Sequence, residues 1–358
     1  MSLIDKIKKN STIKETAILS ESKFFNKKDM ITTSVPALNI ALSGKIDGGF
    51  TPGLTMIAGP SKHFKTAFLL LMIKAYQTRY PESVILFYDS EFGSPQSYFE
   101  TFGIDTSRIV HTPITDIEQL KFDIMQQINA FDRGDKVFVA IDSIGNLASA
   151  KEVQDAIDQK SVADMSRAKQ MKSLFRMVTP HLNMKDIPMT VINHTYKTLE
   201  IYSKDVVGGG TGSYYSADTI FIIGRQQEKD KEGLSGYNFV IKVEKSRYVQ
   251  EGSKIPVTVS FKDGISRWSG LLDLASDGGF VQKVRKRGYV YNIIDTETGE
   301  IDVVDYSEAQ TNTSAFWDRV ITPKFKEYIE KKYCISHGDI LQDEVETVLD
   351  NLDEDNDE

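Results

Sequence analysis

An α/β fold with a mostly parallel central sheet, a short N-terminal arm and a small C-terminal α+β section is what this 358-residue sequence predicts. Three observations carry the prediction. Four short apolar runs, at 54–58, 84–88, 137–141 and 189–192, are separated by stretches long enough for helices, the pattern of parallel strands joined by crossover connections. Three of the runs end in reactive side chains, Asp89-Ser90-Glu91, Asp142-Ser143 and Asn193-His194, and open α/β sheets bind ligands at the carboxyl ends of their strands. The remaining run leads through Gly59-Pro60-Ser61-Lys62-His63-Phe64-Lys65-Thr66 into the helix-forming residues 67–73, the strand, loop and helix order of a phosphate-binding loop.

Residues 1–30 come first, rich in lysine with an apolar pair at Phe24-Phe25. They are too few to bury a core and are expected to form an arm that docks on a neighbouring subunit. Residues 31–268 hold the apolar runs and form the core domain. Residues 269–342 lose the regular alternation: Gly278-Gly279, a turn over 295–299 and an amphipathic stretch around Phe325, Tyr328 and Ile329 predict a small mixed domain. Residues 343–358 contain nine Asp and Glu and no Lys or Arg, a solvated, disordered acidic tail. The formal charge of −8 is therefore an acidic tail on a body of +1. Such a tail serves solubility, or competes with a polyanionic partner's phosphates for basic surface; the residues leave both open.

The single Cys334 excludes an intramolecular disulfide and fits a reducing cytoplasm. Residues 1–10 have no apolar signal core, and the run at 67–73 falls far short of the ~20 residues that span a bilayer. A soluble cytoplasmic protein without a membrane partner is expected.

In the phosphate loop, backbone N–H groups and the positive end of the helix would cradle the β- and γ-phosphates of ATP, with Lys65 bridging their oxygens and Thr66 on Mg²⁺. The pattern G-x-x-x-x-G-K-[ST] expects glycine where Phe64 stands, which leaves the turn before Lys65 unexplained. A plain surface turn carrying Lys-Thr reads the same in isolation. Downstream, Asp142 is the strand-end carboxylate that would serve the metal, and the 84–88 strand delivers a second acid to the same edge, as water attack on a γ-phosphate requires.

These residues resemble the RecA-type homologous recombinases, most closely their phage branch, the UvsX-type recombinases. The resemblance runs through Ile40-Ala-Leu-Ser-Gly44, the phosphate loop, Tyr88-Asp-Ser-Glu91, the stretch from Tyr98 to Asp105, Ile192-Asn-His194, Gly208-Gly209-Gly210-Thr-Gly212 and Val243-Glu-Lys-Ser-Arg247. It implies a RecA-like P-loop ATPase core in which Glu91 is the general base, Tyr98 stacks on adenine, and His194 senses the γ-phosphate where bacterial relatives carry Gln. It also implies that Lys245 and Arg247 reach a neighbouring subunit's nucleotide, and that Phe64 is shared with the phage branch.

Two connections after strands are the expected DNA-binding loops. The first spans about 150–163. The second runs from His194 to about 213 and combines Tyr196, Lys197, Tyr202 and Lys204 with Gly208, Gly209 and Gly210, a composition suited to tracking a single strand and also to a mobile surface loop. Between them a helix should bury Ala168, Met171, Phe175 and Val178 and present Lys169, Lys172 and Arg176 on a second stripe; by resemblance Arg176 matches a DNA-contacting position. A basic cluster, Lys283, Arg285, Lys286 and Arg287 beside Tyr289 and Tyr291, reads equally as a duplex-gathering surface and as a solvated hairpin.

The function expected from all this is an ATP-dependent recombinase that forms helical filaments on single-stranded DNA and exchanges strands with double-stranded DNA, assisted by a mediator or loader and a single-strand-binding protein. A hexameric helicase or a filament-forming ATP switch without catalysis are the alternatives.

Overall fold

The computed structural model describes residues 2–24, 28–160, 166–198, 205–208, 211–230, 233–285 and 288–335. Tyr202, Lys204, Gly209, Gly210, Lys286, Arg287 and the acidic tail lie outside the described residues.

In chain order the strands are β1 (Gly53–Ala58), β2 (Val84–Asp89), β3 (Ile109–Pro113), β4 (Val137–Asp142), β5 (Pro188–Asn193), β6 (Thr195–Lys197), β7 (Asp205–Val207), β8 (Thr219–Asp230), β9 (Gly233–Lys245), β10 (Lys254–Ser260), β11 (Gly264–Ile265), β12 (Val281–Arg285) and β13 (Tyr289–Ile293). Among the described residues, nine of them form one sheet in the order β11-β10-β9-β8-β1-β5-β4-β2-β3. The strands from β8 to β3 are mutually parallel, and β9 to β11 continue the sheet as antiparallel hairpins. The apolar runs are continuous because β1, β4 and β5 are buried on both faces.

Successive residues of β1 feed opposite faces. Leu54, Met56 and Ala58 join a core with the helices Ile117–Ala130 and Ser166–Lys185, while Ile57 joins the other core with the helices Pro36–Ser43 and Lys65–Arg79. That second core runs on without a break into the C-terminal section: Phe280, Phe316, Trp317, Phe325 and Ile329 belong to the same apolar cluster as Phe68 and Ile241. Its secondary structure is the β12–β13 hairpin flanked by the helices Leu271–Asp277, Glu308–Thr311, Ser314–Val320 and Pro323–Tyr333.

Three expectations need correction. Residues 150–157 of the expected first loop form a helix, because Ser149 caps it by accepting from the Glu152 N–H. The second expected loop is in part a hairpin, β6 pairing with β7. On the helix Ser166–Lys185 the buried row is Met171, Leu174, Phe175, Val178 and Leu182, and Ala168 is exposed. The first turn of that helix leaves the apolar layer and meets the polar connection after β4, where Arg167 donates to the carbonyls of Ile144, Gly145 and Leu147.

The helix Leu3–Asn10 is closed at its start by a Ser2/Asp5 capping box, yet none of its residues is buried; Leu3, Ile4 and Ile7 face outward.

Candidate functional site

The sheet register brings the reactive strand ends together. Ala58 lies opposite Asn193, and Asp89 opposite Asp142, so the phosphate loop and the strand-end acids share one edge. The loop 59–66 leaves β1 and enters the helix Lys65–Arg79, whose first-turn N–H groups point back along it. Lys65 is buried and donates from Nζ to the Pro60 carbonyl at 2.8 Å. Burial lowers the pKa of its amine, opposed by the nearby Glu91 and Asp142 carboxylates. Ser61 and Lys62 are exposed, and His63 Nδ1 lies 2.8 Å from the Ser61 carbonyl oxygen.

Thr66 Oγ1 donates to Asp142 Oδ2 at 2.7 Å. The other carboxylate oxygen, Asp142 Oδ1, is buried with no hydrogen-bond partner. Burial pushes this carboxyl up to about 6, with the Thr66 bond opposing and the charges of Glu91 and Asp89 adding to the rise. An unpartnered hard oxygen beside a hydroxyl fits a Mg²⁺ ion that takes few protein ligands and keeps water and phosphate oxygens for the rest.

Glu91 is held on two sides. Ser143 Oγ donates to Glu91 Oε1 at 2.6 Å, and His194 Nε2 stands 3.0 Å from the same oxygen. The His194 bond above all, with the Ser143 bond, holds the carboxyl at about 2 against the rise that burial would cause. His194 reaches this position over Gly145: a Cβ there would meet His194 Cδ2 at 2.1 Å, so a side chain at 145 would displace the ring. The hairpin that follows is tied to the same strand end, since Gly208 N–H donates to the His194 carbonyl and Asn193 Nδ2 to the Gly208 carbonyl. Tyr98 stands half-buried on the same side, edge-on to Phe102 at 5.3 Å; burial and the Asp142 charge raise its hydroxyl pKa.

The predicted residues thus fall into two groups. Gly59 to Thr66, Glu91, Tyr98, Asp142 and His194 converge. Lys245 and Arg247 do not join them. Lys245 donates to the carbonyls of Tyr214 and Tyr215, and Arg247 pairs with Asp218 at 2.5 Å. Asp218 in turn accepts the N–H of Leu54, at the start of β1. From Leu54 to Gly59 is five residues of extended strand, roughly 16 Å, so these cations sit at the edge opposite their own phosphate loop.

Lys169, Lys172 and Arg176 form an exposed stripe, and Gly212 abuts Lys172, whose Cα and Cβ lie 2.7 Å from where a Cβ of residue 212 would stand. The stripe therefore borders the end of the second connection. Tyr196 and Lys197 are exposed on β6. On the β12–β13 hairpin Lys283 Nζ lies 4.3 Å from the Tyr289 ring centroid, with Arg285 paired opposite Tyr289. Sequence reading missed Ser143, whose hydroxyl orients Glu91, and Arg167, which pins the segment after β4. Neither residue lies in a repeating pattern; only Ser143's place directly after the strand-end acid was a signal.

Comparison with known proteins agrees with this architecture. Residues 2–266 match the RecA N-terminal domain, and residues 268–329 match the C-terminal domain of the bacteriophage T4 recombination and repair protein. The chain is 49% identical over 347 residues to the recombination and repair protein of Enterobacteria phage T4, covering 95% of this chain and 89% of that one. It is 24% identical over 322 residues to Protein RecA of Crocosphaera subtropica, covering 89% of each. No helix among the described residues is long and apolar enough to cross a membrane. With the strand-end site, the phosphate loop and both domain matches in place, the chain belongs to the RecA family of recombinases, in the branch of the phage T4 recombination and repair protein.

Proposed function

We propose that this recombinase binds ATP and Mg²⁺ between adjacent subunits of a helical filament on single-stranded DNA, hydrolyses the ATP, and exchanges strands with homologous double-stranded DNA. The observation that supports the reading is the separation of two groups of residues to opposite edges of the sheet. Lys65, Thr66, Glu91 and Asp142 form an acid-rich half at the phosphate edge, while Lys245 and Arg247 lie at the far edge, beyond reach of their own loop. A head-to-tail neighbour supplies the missing cations, and a heterologous contact of that kind builds a filament or ring. The exposed apolar face of the helix Leu3–Asn10 is a second element suited to the same neighbour.

Magnesium, when bound beside Thr66 and Asp142, withdraws charge from the phosphates. The other steps belong to the chain's own residues. Lys65 offers its amine to the β- and γ-oxygens, and the loop N–H groups fix the chain of phosphates. Tyr98 presents a ring face to the base. Glu91 accepts the proton of the attacking water, for which its acid strength must be relaxed, since a carboxylate held at about 2 is a poor base. Turning His194 toward the γ-phosphate removes the largest stabiliser of ionised Glu91 and raises its basicity only when the triphosphate is in place. The same movement pulls on the hairpin hydrogen-bonded to the His194 backbone, which carries Tyr196 and Lys197 and leads to the DNA-binding residues around Gly208. Lys169, Lys172 and Arg176 line the adjoining helix, with Arg176 the first candidate for the DNA phosphates.

The test is imaging with ATP and single-stranded DNA. A helical filament supports the reading, and a closed six-fold ring that unwinds duplex replaces it with a helicase. The homologous pairing assay with duplex DNA then separates strand exchange from a filament that only switches. Loader and single-strand-binding partners and a cytoplasmic location accompany the proposal.

A further inference from the structure

The phosphate loop carries two non-glycine residues in the left-handed backbone region, Lys62 at φ 59° and Phe64 at φ 63°. This conformation places Cβ against the following carbonyl, which is why glycine is usual there. Both residues are tied to the antiparallel side of the sheet, far along the chain. The Phe64 ring stacks on Phe239 of β9, centroids 4.9 Å apart and planes 14° from parallel, and meets Phe68 edge-on at 5.7 Å. Phe239 is buried and passes the contact to Tyr237 at 5.9 Å. Over the Tyr237 ring, at 4.7 Å, lies the guanidinium of Arg225 on β8, which donates to the Lys62 carbonyl at 3.2 Å. The residue that replaces the usual glycine is thus the one clamped by an aromatic partner.

We propose that Phe239, supported by Tyr237 and Arg225, is a positioning residue for nucleotide binding: its stack on Phe64 holds the left-handed turn that aims Lys65 and the loop N–H groups, the task a glycine at 64 performs through backbone freedom. The inference rests on the reading of residues 59–66 as the nucleotide site.

A double-mutant cycle in the full chain tests it, with the affinity of a fluorescent ATP analogue as readout. Phe239→Leu weakens binding about tenfold, the scale of a non-glycine residue released from a left-handed turn, and Phe239→Tyr, which keeps the ring, restores it. Phe64→Gly sets its own baseline, and against that baseline Phe239→Leu changes affinity less than twofold, because a glycine turn no longer depends on the stack. Loss of packing at Phe239 acts in both backgrounds and cancels; a thermal melt of each variant confirms that it is folded. Equal factors in the two backgrounds overturn the proposal. Lys65→Ala separates this from failure of the site itself: if that variant binds the analogue as tightly as the unaltered protein, the loop is no nucleotide site, whereas if it loses binding and the cycle is additive, only the role of Phe239 falls.

Discussion

At the carboxyl ends of β1, β2, β4 and β5, a Thr66–Asp142 pair stands beside Glu91, which is bonded to Ser143 and His194, and burial and hydrogen bonding drive the two carboxylates in opposite directions, Asp142 to about 6 and Glu91 to about 2. At the amino ends of β1 and β8, Lys245 and Arg247 are answered by the Tyr214 and Tyr215 carbonyls and by Asp218, and Arg247 remains two-thirds exposed. A network with acids separated in strength is the arrangement expected where a metal and a base must differ in one small volume. An exposed guanidinium beside a half-buried amine, both on a satisfied frame, is what a surface offers to something outside the subunit. On the function proposed above, chemistry and its activation by assembly occupy opposite edges of one sheet.

The largest expected effect breaks the acid-rich edge alone. Glu91→Gln keeps the size and hydrogen-bonding capacity of the side chain but cannot take a proton, so ATP turnover falls by about 10²-fold or more while nucleotide binding persists. Steady-state hydrolysis beside direct binding checks this. Loss of binding together with turnover would make Glu91 a structural element.

Mixing the edges sharpens the comparison. Lys65→Ala and the double variant Lys245→Ala, Arg247→Ala are each expected to lose turnover, yet mixed together they place an intact phosphate loop against intact cations at some boundaries. Partial recovery of hydrolysis across mixing ratios is the expected outcome. Filaments that visibly co-assemble and remain inactive would count against a shared site.

The smallest effect is in pH. Asp142 is protonated below about 6, so a metal there must displace a proton, and Mg²⁺-dependent nucleotide affinity should fall about tenfold per unit as pH drops below 6. In the nucleotide-free protein Glu91 is ionised down to about 2 and adds nothing in that window. For stability without metal the signs are opposite. The raised Asp142 contributes stability that is fully present below its ordinary value of 3.8 and is lost as pH rises through about 6. The lowered Glu91 contributes stability present above 4.5 and lost as pH falls through about 2. Calorimetric titration at pH 5, 6 and 7 reads the first effect, and a pH-independent affinity would remove Asp142 from the metal site.

From the chain alone one could read the parallel strands, because burial on both faces makes each a continuous apolar run, and the ligand edge, because Glu91, Asp142 and His194 follow those runs directly. Periodicity likewise marked Met171, Phe175 and Val178 as buried. It failed at Ala168, since a helical row says which face is apolar but not where the sheet beneath it ends. The helix at 150–157 buries none of its residues, so no core-facing row marked it, and its start signal was confined to Ser149 followed three residues on by Glu152. What lay beyond the sequence was every relation between distant residues: Ser143 and His194 converging on one oxygen of Glu91, Arg247 turned away onto Asp218, and Phe239 stacked on a residue 175 positions earlier. Local pattern follows from the chain's own hydrophobicity and backbone sterics. The strength of an acid and the reach of a cation depend on which groups packing brings within a few ångströms, and only the tertiary structure decides that.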